Sequence, residues 1–240
     1  MFAVLQIKDK TNIFSKSKTE SQRLTLQNDE AFFIVTAEKT FGRVPWHKLA
    51  DCMGILRKDV VLSEDITLPD GCGITEFVPE IFPRILLINS AIKVLTGTRR
   101  KSLIVFDEKC IYQSYMKKLV NTFDRIRVVT PEIGEYELVA DELMENYGFS
   151  LEVTNKPSYK ADVIISCECS VPLYYSGEIF TTEKKYLMNG KVYSGRDIDL
   201  PEEYDKLLPG GVDKLQFASA LYEKCKVKTL GNMTYKDFGC

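Results

Sequence analysis

Asp107 and Glu108 stand side by side after the apolar run Leu103-Ile104-Val105-Phe106. Adjacent carboxylates can hold Mg²⁺ together with a substrate phosphate, because hard cations prefer carboxylate oxygens. The same two acids also suit the first turn of a following helix, where they favour its dipole. Cys167-Glu168-Cys169 follows a second apolar run, Val163-Ile164-Ile165. Residues i and i+2 of a strand face one side, so the two sulfurs could pinch a soft metal or form a redox pair. Cys-x-x-Cys spacing, the usual half of a structural zinc site, is absent, and free cysteines commonly pack as small hydrophobes. The sequence therefore assigns no metal. A nucleophilic Cys167 needs a base, and the only imidazole is His47, beside Trp46. Any histidine triad must include His47; a multi-histidine metal site is excluded. Asp107, Glu108, Cys167 and His47 are thus the candidates for catalysis.

The segment that carries these groups is patterned for a parallel sheet. Leu103 to Phe106, Ile126 to Val129, Phe149 to Val153 and Asp162 to Ser166 are apolar runs without polar alternation, as in strands buried on both faces. Ile111, Tyr115, Met116, Leu119, Val120 and Phe123 recur at helical spacing between the first two. Tyr136, Val139, Ala140, Leu143, Met144 and Tyr147 do so between the next two, with Gly148 placed to cap. A helix from about Pro83 to Leu95, apolar nearly all round, precedes them. The order β-α-β-α-β-loop-β is half of a doubly wound sheet, each helix burying one stripe on it.

In such sheets ligands bind outside the carboxyl ends of the strands. That rule gathers Asp107, Glu108, Thr130, Ser166, Cys167 and Cys169 as ligand-binding candidates. A dinucleotide would need a G-x-G-x-x-G loop, whose glycines let backbone amides reach the pyrophosphate. The loop here, Asp107-Glu108-Lys109-Cys110-Ile111-Tyr112, has no glycine, and Thr130 stands where an acid would hold a ribose. The expectation is that NAD(P) does not bind and that no cofactor is required.

In architecture, Pro83 to Ser166 resembles the cofactor domain of shikimate dehydrogenase or glutamyl-tRNA reductase. The resemblance covers about a third of the chain and lacks the glycine motif. It implies a Rossmann-like scaffold. Leu103 to Glu108 is also similar to the first strand and acidic pair of a response-regulator receiver. In that family a later strand ends in the phosphorylated Asp; Cys167 stands at that point here, so phosphotransfer is excluded.

The remainder bounds the molecule. Its 240 residues suit two small domains. The first ~80 residues read as strand-rich, with Phe2 to Ile7, a turn at Asn28-Asp29, a helix over Pro45 to Met53, and strands at Val60 to Leu62 and Ile66 to Leu68. Thr11 to Ser21 reads as a loop. In the tail, Met188-Asn189-Gly190-Lys191 reads as a hairpin turn, Leu200 to Leu208 as a short helix, and Asp213 as the N-cap of a final helix. The fold expected is α/β: a strand-rich α+β domain over 1–80, then a Rossmann-like parallel sheet with flanking helices over 81–240. A net charge of −2 gives no basic field for nucleic acid. No apolar run reaches the ~18–20 residues of a membrane span. Seven scattered cysteines and no signal-like N-terminus point to the cytoplasm. The leading functional expectation is a non-catalytic ligand-binding or protein-interaction protein, with a small molecule in the interdomain cleft or a homo-oligomer through tyrosine-rich surfaces. The alternatives are an enzyme using the strand-end residues, with Mg²⁺, and a subunit of a cytoplasmic complex.

Overall fold

The computed structural model describes residues 1–9, 18–39, 43–167, 174–182 and 190–239. The first elements are β1 (Ala3–Asp9), β2 (Thr19–Thr25), β3 (Ala31–Lys39), α1 (Trp46–Met53), β4 (Val60–Leu62) and α2 (Phe82–Leu95). Then come β5 (Arg100–Phe106), α3 (Met116–Leu119), β6 (Phe123–Val129), α4 (Glu137–Tyr147), β7 (Leu151–Thr154) and β8 (Val163–Ile165). The last are β9 (Glu178–Phe180), β10 (Lys191–Tyr193), α5 (Glu202–Asp205) and α6 (Lys214–Lys224). The chain divides into two compact units, Met1–Phe82 with Leu200–Gly231, and Pro83–Asp199 with Asn232–Cys240.

The first unit is built on the sheet β2-β3-β1-β4, with β1 parallel to β3 and β4, and β2 antiparallel to β3. Asp29, at φ 62°, makes the turn between β2 and β3. Strand alternation gives the sheet two apolar faces. Ala3, Leu5, Val35 and Ala37 pack with Leu49, Ala50 and Met53 of α1. Phe2 and Phe32 stack at 5.2 Å, and Phe217 of α6 meets them edge-on at 6.1 and 5.4 Å. The stretch Leu200–Gly231 thus folds with the N-terminal strands, and Asp213 caps α6 by accepting from the Gln216 amide at 2.7 Å. Ile66 to Leu68 is not a strand: the chain turns after β4, with the Ile66 amide donating to the Ser63 carbonyl at 2.9 Å.

The second unit holds the six-stranded sheet β10-β9-β8-β5-β6-β7, every pair parallel. Counted from β5 the order is 3-2-1-4-5-6, the Rossmann arrangement with its switch point between β5 and β8. Leu103 lies opposite both Ile126 and Val163. Leu103, Ile104 and Val105 are at most 2% exposed, as a strand covered on both faces requires. Leu86, Leu87, Ile88 and Ala91 of α2 are fully buried, which explains its all-round apolar sequence. Gly148 ends α4 at φ 61°, its amide and that of Phe149 reaching back to Met144 and Leu143.

The connection from β5 to β6 is less helical than its spacing predicts. Cys110 takes a left-handed φ of 51°, a 3-10 turn covers Gln113–Tyr115, and α3 is a single turn. Both crossovers from β5 to β7 step the same way, so right-handedness sets α3 and α4 on one face. On the other face Ile104, Val129, Ile164 and Ile179 pack with Tyr175, Tyr159 and Ala161. Among the described residues no helix lies between β7 and β10. β10 runs parallel to β9; the hairpin read at Met188-Asn189-Gly190-Lys191 falls largely outside the described residues, as does part of the loop read over Thr11 to Ser21. Among the described residues no helix is long and apolar enough to cross a membrane.

Candidate functional site

Each central strand of the second sheet continues one residue past its end by a ladder bond. The amides of Asp107, Thr130, Ser166 and Thr181 donate to Val129, Thr154, Phe180 and Tyr193 at 2.9–3.0 Å. Four polar side chains therefore stand in a row at the carboxyl rim, none more than 2% exposed. Buried polar groups are costly unless hydrogen-bonded. At Asp107 the demand is met by the chain itself. One carboxylate oxygen accepts from the Ile111 amide at 3.0 Å, and the other from the Tyr112 amide at 2.7 Å and from the Tyr136 hydroxyl.

Tyr112 and Tyr136 are both 0% exposed. The Tyr112 hydroxyl lies 3.3 Å from the Cys167 sulfur. Thr130 Oγ1 accepts from the Glu132 amide at 3.2 Å and is 3.5 Å from Cys110 Sγ. Burial first, and the neighbouring Cys167 second, hold the Tyr112 hydroxyl well above its ordinary range. Burial and then the Asp107 charge do the same for Tyr136. Burial also raises the Cys110 thiol. These shifts move Tyr112, Tyr136 and Cys110 further from ionising at neutral pH.

The structure brings Asp107, Thr130, Ser166 and Cys167 to one rim. Glu108, next in the chain, is exposed to solvent. Cys169 lies outside the described residues. His47 is exposed on α1, in the first unit. Among the described residues no group of three or more His, Cys, Asp or Glu side chains could hold a metal ion. Sequence reading put Tyr112 in the first loop and Tyr136 on a helical stripe, and missed that the Tyr112 amide and the Tyr136 hydroxyl complete the rim. The available signal was position: each follows a strand end by a few residues, where a large side chain can fold back over the strand tips.

The arrangement has a direct chemical meaning. At a dinucleotide crevice, unpaired backbone amides of the first loop receive the pyrophosphate. Here the loop amides of Ile111 and Tyr112 donate to Asp107, so a carboxylate of the chain occupies the role of the anion.

No family model matches the sequence, and no curated protein does. Among solved structures the chain is similar to L-tryptophan dehydrogenase from Nostoc punctiforme, with 11% identity over 83% of this chain and 67% of that one, and a TM-score of 0.31. A likeness of that size says nothing of activity, and the Rossmann-like assignment stands on the strand order.

Proposed function

We propose that this chain is a non-catalytic binding protein that keeps a Rossmann-like sheet as a scaffold and takes no nicotinamide dinucleotide at its switch point. The observation that carries this reading is the Asp107 carboxylate, bonded to two loop amides and a buried tyrosine hydroxyl. A pyrophosphate arriving there would meet a like charge and no available amide donor on Ile111 or Tyr112. The same burial argues against a reaction centre at the rim: Asp107 and Thr130 are 0% and 1% exposed, and a general acid or base must reach its substrate. Cysteines 52, 72, 110, 167 and 225 are all free thiols, which supports a reducing, cytoplasmic setting.

Calorimetric titration with NADH and NADPH tests the reading. The expected result is no saturable heat at micromolar ligand. Micromolar binding that Asp107→Asn strengthens would overturn it, because it would put the dinucleotide where the carboxylate stands.

A further inference from the structure

The face of the six-stranded sheet opposite α3 and α4 is covered unevenly. Strand register puts Ser102 and Ile104 of β5, Arg125 and Arg127 of β6, and Glu152 of β7 on this one face. Tyr159, Ala161 and Tyr175 cover its centre. Towards the amino ends of β5, β6 and β7 lies a groove of about 560 Å³, whose lining includes Lys101, Ser102, Arg125, Arg127, Glu152 and Lys160. That size falls in the usual range for small-molecule sites.

The charges in the groove are not balanced within the chain. Glu152 pairs with Arg127 at 2.8 Å, and Asp124 with Arg99, outside the groove, at 2.8 Å. Asp162 accepts from the Ser102 amide and hydroxyl at 2.9 and 3.0 Å. The partners of Asp162 are neutral, so its charge stays in the groove beside the cations. Arg125 and Lys160 have no ion-pair partner among the described residues. Two cations without a partner at one concavity stand out in a chain whose net charge is −2.

We propose that this groove binds a small molecule carrying a phosphate group. Arg125 and Arg127, two residues apart on one strand face, present their guanidinium groups roughly 7 Å apart at the backbone, and the arginine fork matches phosphate oxygens. Lys160, in the loop before β8, adds a further cation to the lining. A phosphate monoester brings about one and a half to two negative charges at neutral pH. Arg125, Lys160 and Arg127, less Asp162, set about two positive charges against it, since Glu152, the partner of Arg127, is itself 57% exposed and able to swing away. The site is independent of the closed carboxyl rim, so the scaffold would bind its ligand on a face and not at the switch point.

Inorganic pyrophosphate is the probe. Calorimetry at low salt is expected to give saturable one-to-one binding. Arg125→Gln and Lys160→Gln are each expected to weaken it about tenfold, as loss of one charge-assisted bond does. Amide resonances of Ser102, Arg125 and Lys160 should shift on titration. Both side chains are at the surface, so both variants should melt with the wild type. Lys117→Gln, on α3, should bind as the wild type does. Absence of saturable heat overturns the proposal. So does equal affinity in Arg125→Gln, equal loss in Lys117→Gln, or binding of polyglutamate without pyrophosphate, which would mark the groove as a contact for an acidic protein. NADH binding that Arg125→Gln leaves unchanged bears on the switch point alone, so the two readings fail separately.

Discussion

Strands β5 and β6 end in two contrasting regions. At their carboxyl ends, Asp107 is fully buried and receives three hydrogen bonds from the chain. At their amino ends, Arg125 is exposed and has no ion-pair partner among the described residues. The rim that topology marks as the ligand crevice is self-satisfied. The groove on the face, where the topology gives no reason to expect a ligand, holds the unmatched charge. A charge in a structure becomes a site only where the fold leaves it without a partner. Rim substitutions should therefore cost stability, and groove substitutions should cost affinity.

The largest effect is expected for Asp107→Ala. It leaves the Ile111 and Tyr112 amides and the Tyr136 hydroxyl without an acceptor in a region sealed from water. Each such orphaned donor costs on the order of 1–3 kcal/mol, and partial relaxation brings the sum to about 3–5 kcal/mol. Urea unfolding of the variant and wild type measures it. A loss under about 1 kcal/mol would mean that the carboxylate does not fasten the rim, and the contrast between the two ends would break.

Alkaline pH tests the same rim. The folded-state values of Tyr112 and Tyr136 are raised by burial, while an unfolded tyrosine ionises near pH ~10. Below that point both states bind the proton and stability does not depend on these groups. Above it the unfolded state binds fewer protons, so stability falls as pH rises, by about 1.4 kcal/mol per pH unit for each tyrosine. Cys225, raised to about 11 by burial, adds a loss of the same sign in the first unit that begins lower, in the ordinary thiol range. Urea midpoints from pH 8 to 11 should stay level with respect to the tyrosines and then drop, and Tyr136→Phe should flatten the drop by one tyrosine's share. An unchanged slope in that variant would place Tyr136 in contact with water.

Most of the scaffold was legible from sequence because buried parallel strands leave continuous apolar runs. Leu103, Ile126 and Val163 are adjacent, as their runs implied. Gly148 and Asp213 mark helix ends through local chemistry that a sequence displays directly. The partnership of α6 with the N-terminal sheet was not legible, because the Phe2, Phe32 and Phe217 cluster joins residues far apart in the chain. Nor was the fate of the helix after β5. Its apolar spacing fits a helix, but Asp107 draws the amides of Ile111 and Tyr112 into a loop and Cys110 turns left-handed. Position singled out Asp107, but its bonds depend on Tyr136, which is 29 residues away. The groove escaped notice because Arg125 and Arg127 look like solvated charges until the register puts them beside Ser102 and Ile104 on one face.

The smallest expected stability effect sharpens the contrast most. Arg127 and Glu152 form an ion pair at 2.8 Å with side-chain exposures of 33% and 57%. An exposed pair of this kind contributes about 0–1 kcal/mol and weakens with salt. Glu152→Gln should therefore leave the urea midpoint nearly unchanged. It also releases Arg127 and removes a carboxylate from the groove, so pyrophosphate should bind a few-fold more tightly than to the wild type, and the gain should shrink as salt is raised. A change in affinity without a change in stability is what a surface charge facing a ligand gives. A change in stability without one in affinity would instead make the pair a strut between β6 and β7, and would remove Arg127 from the anion site.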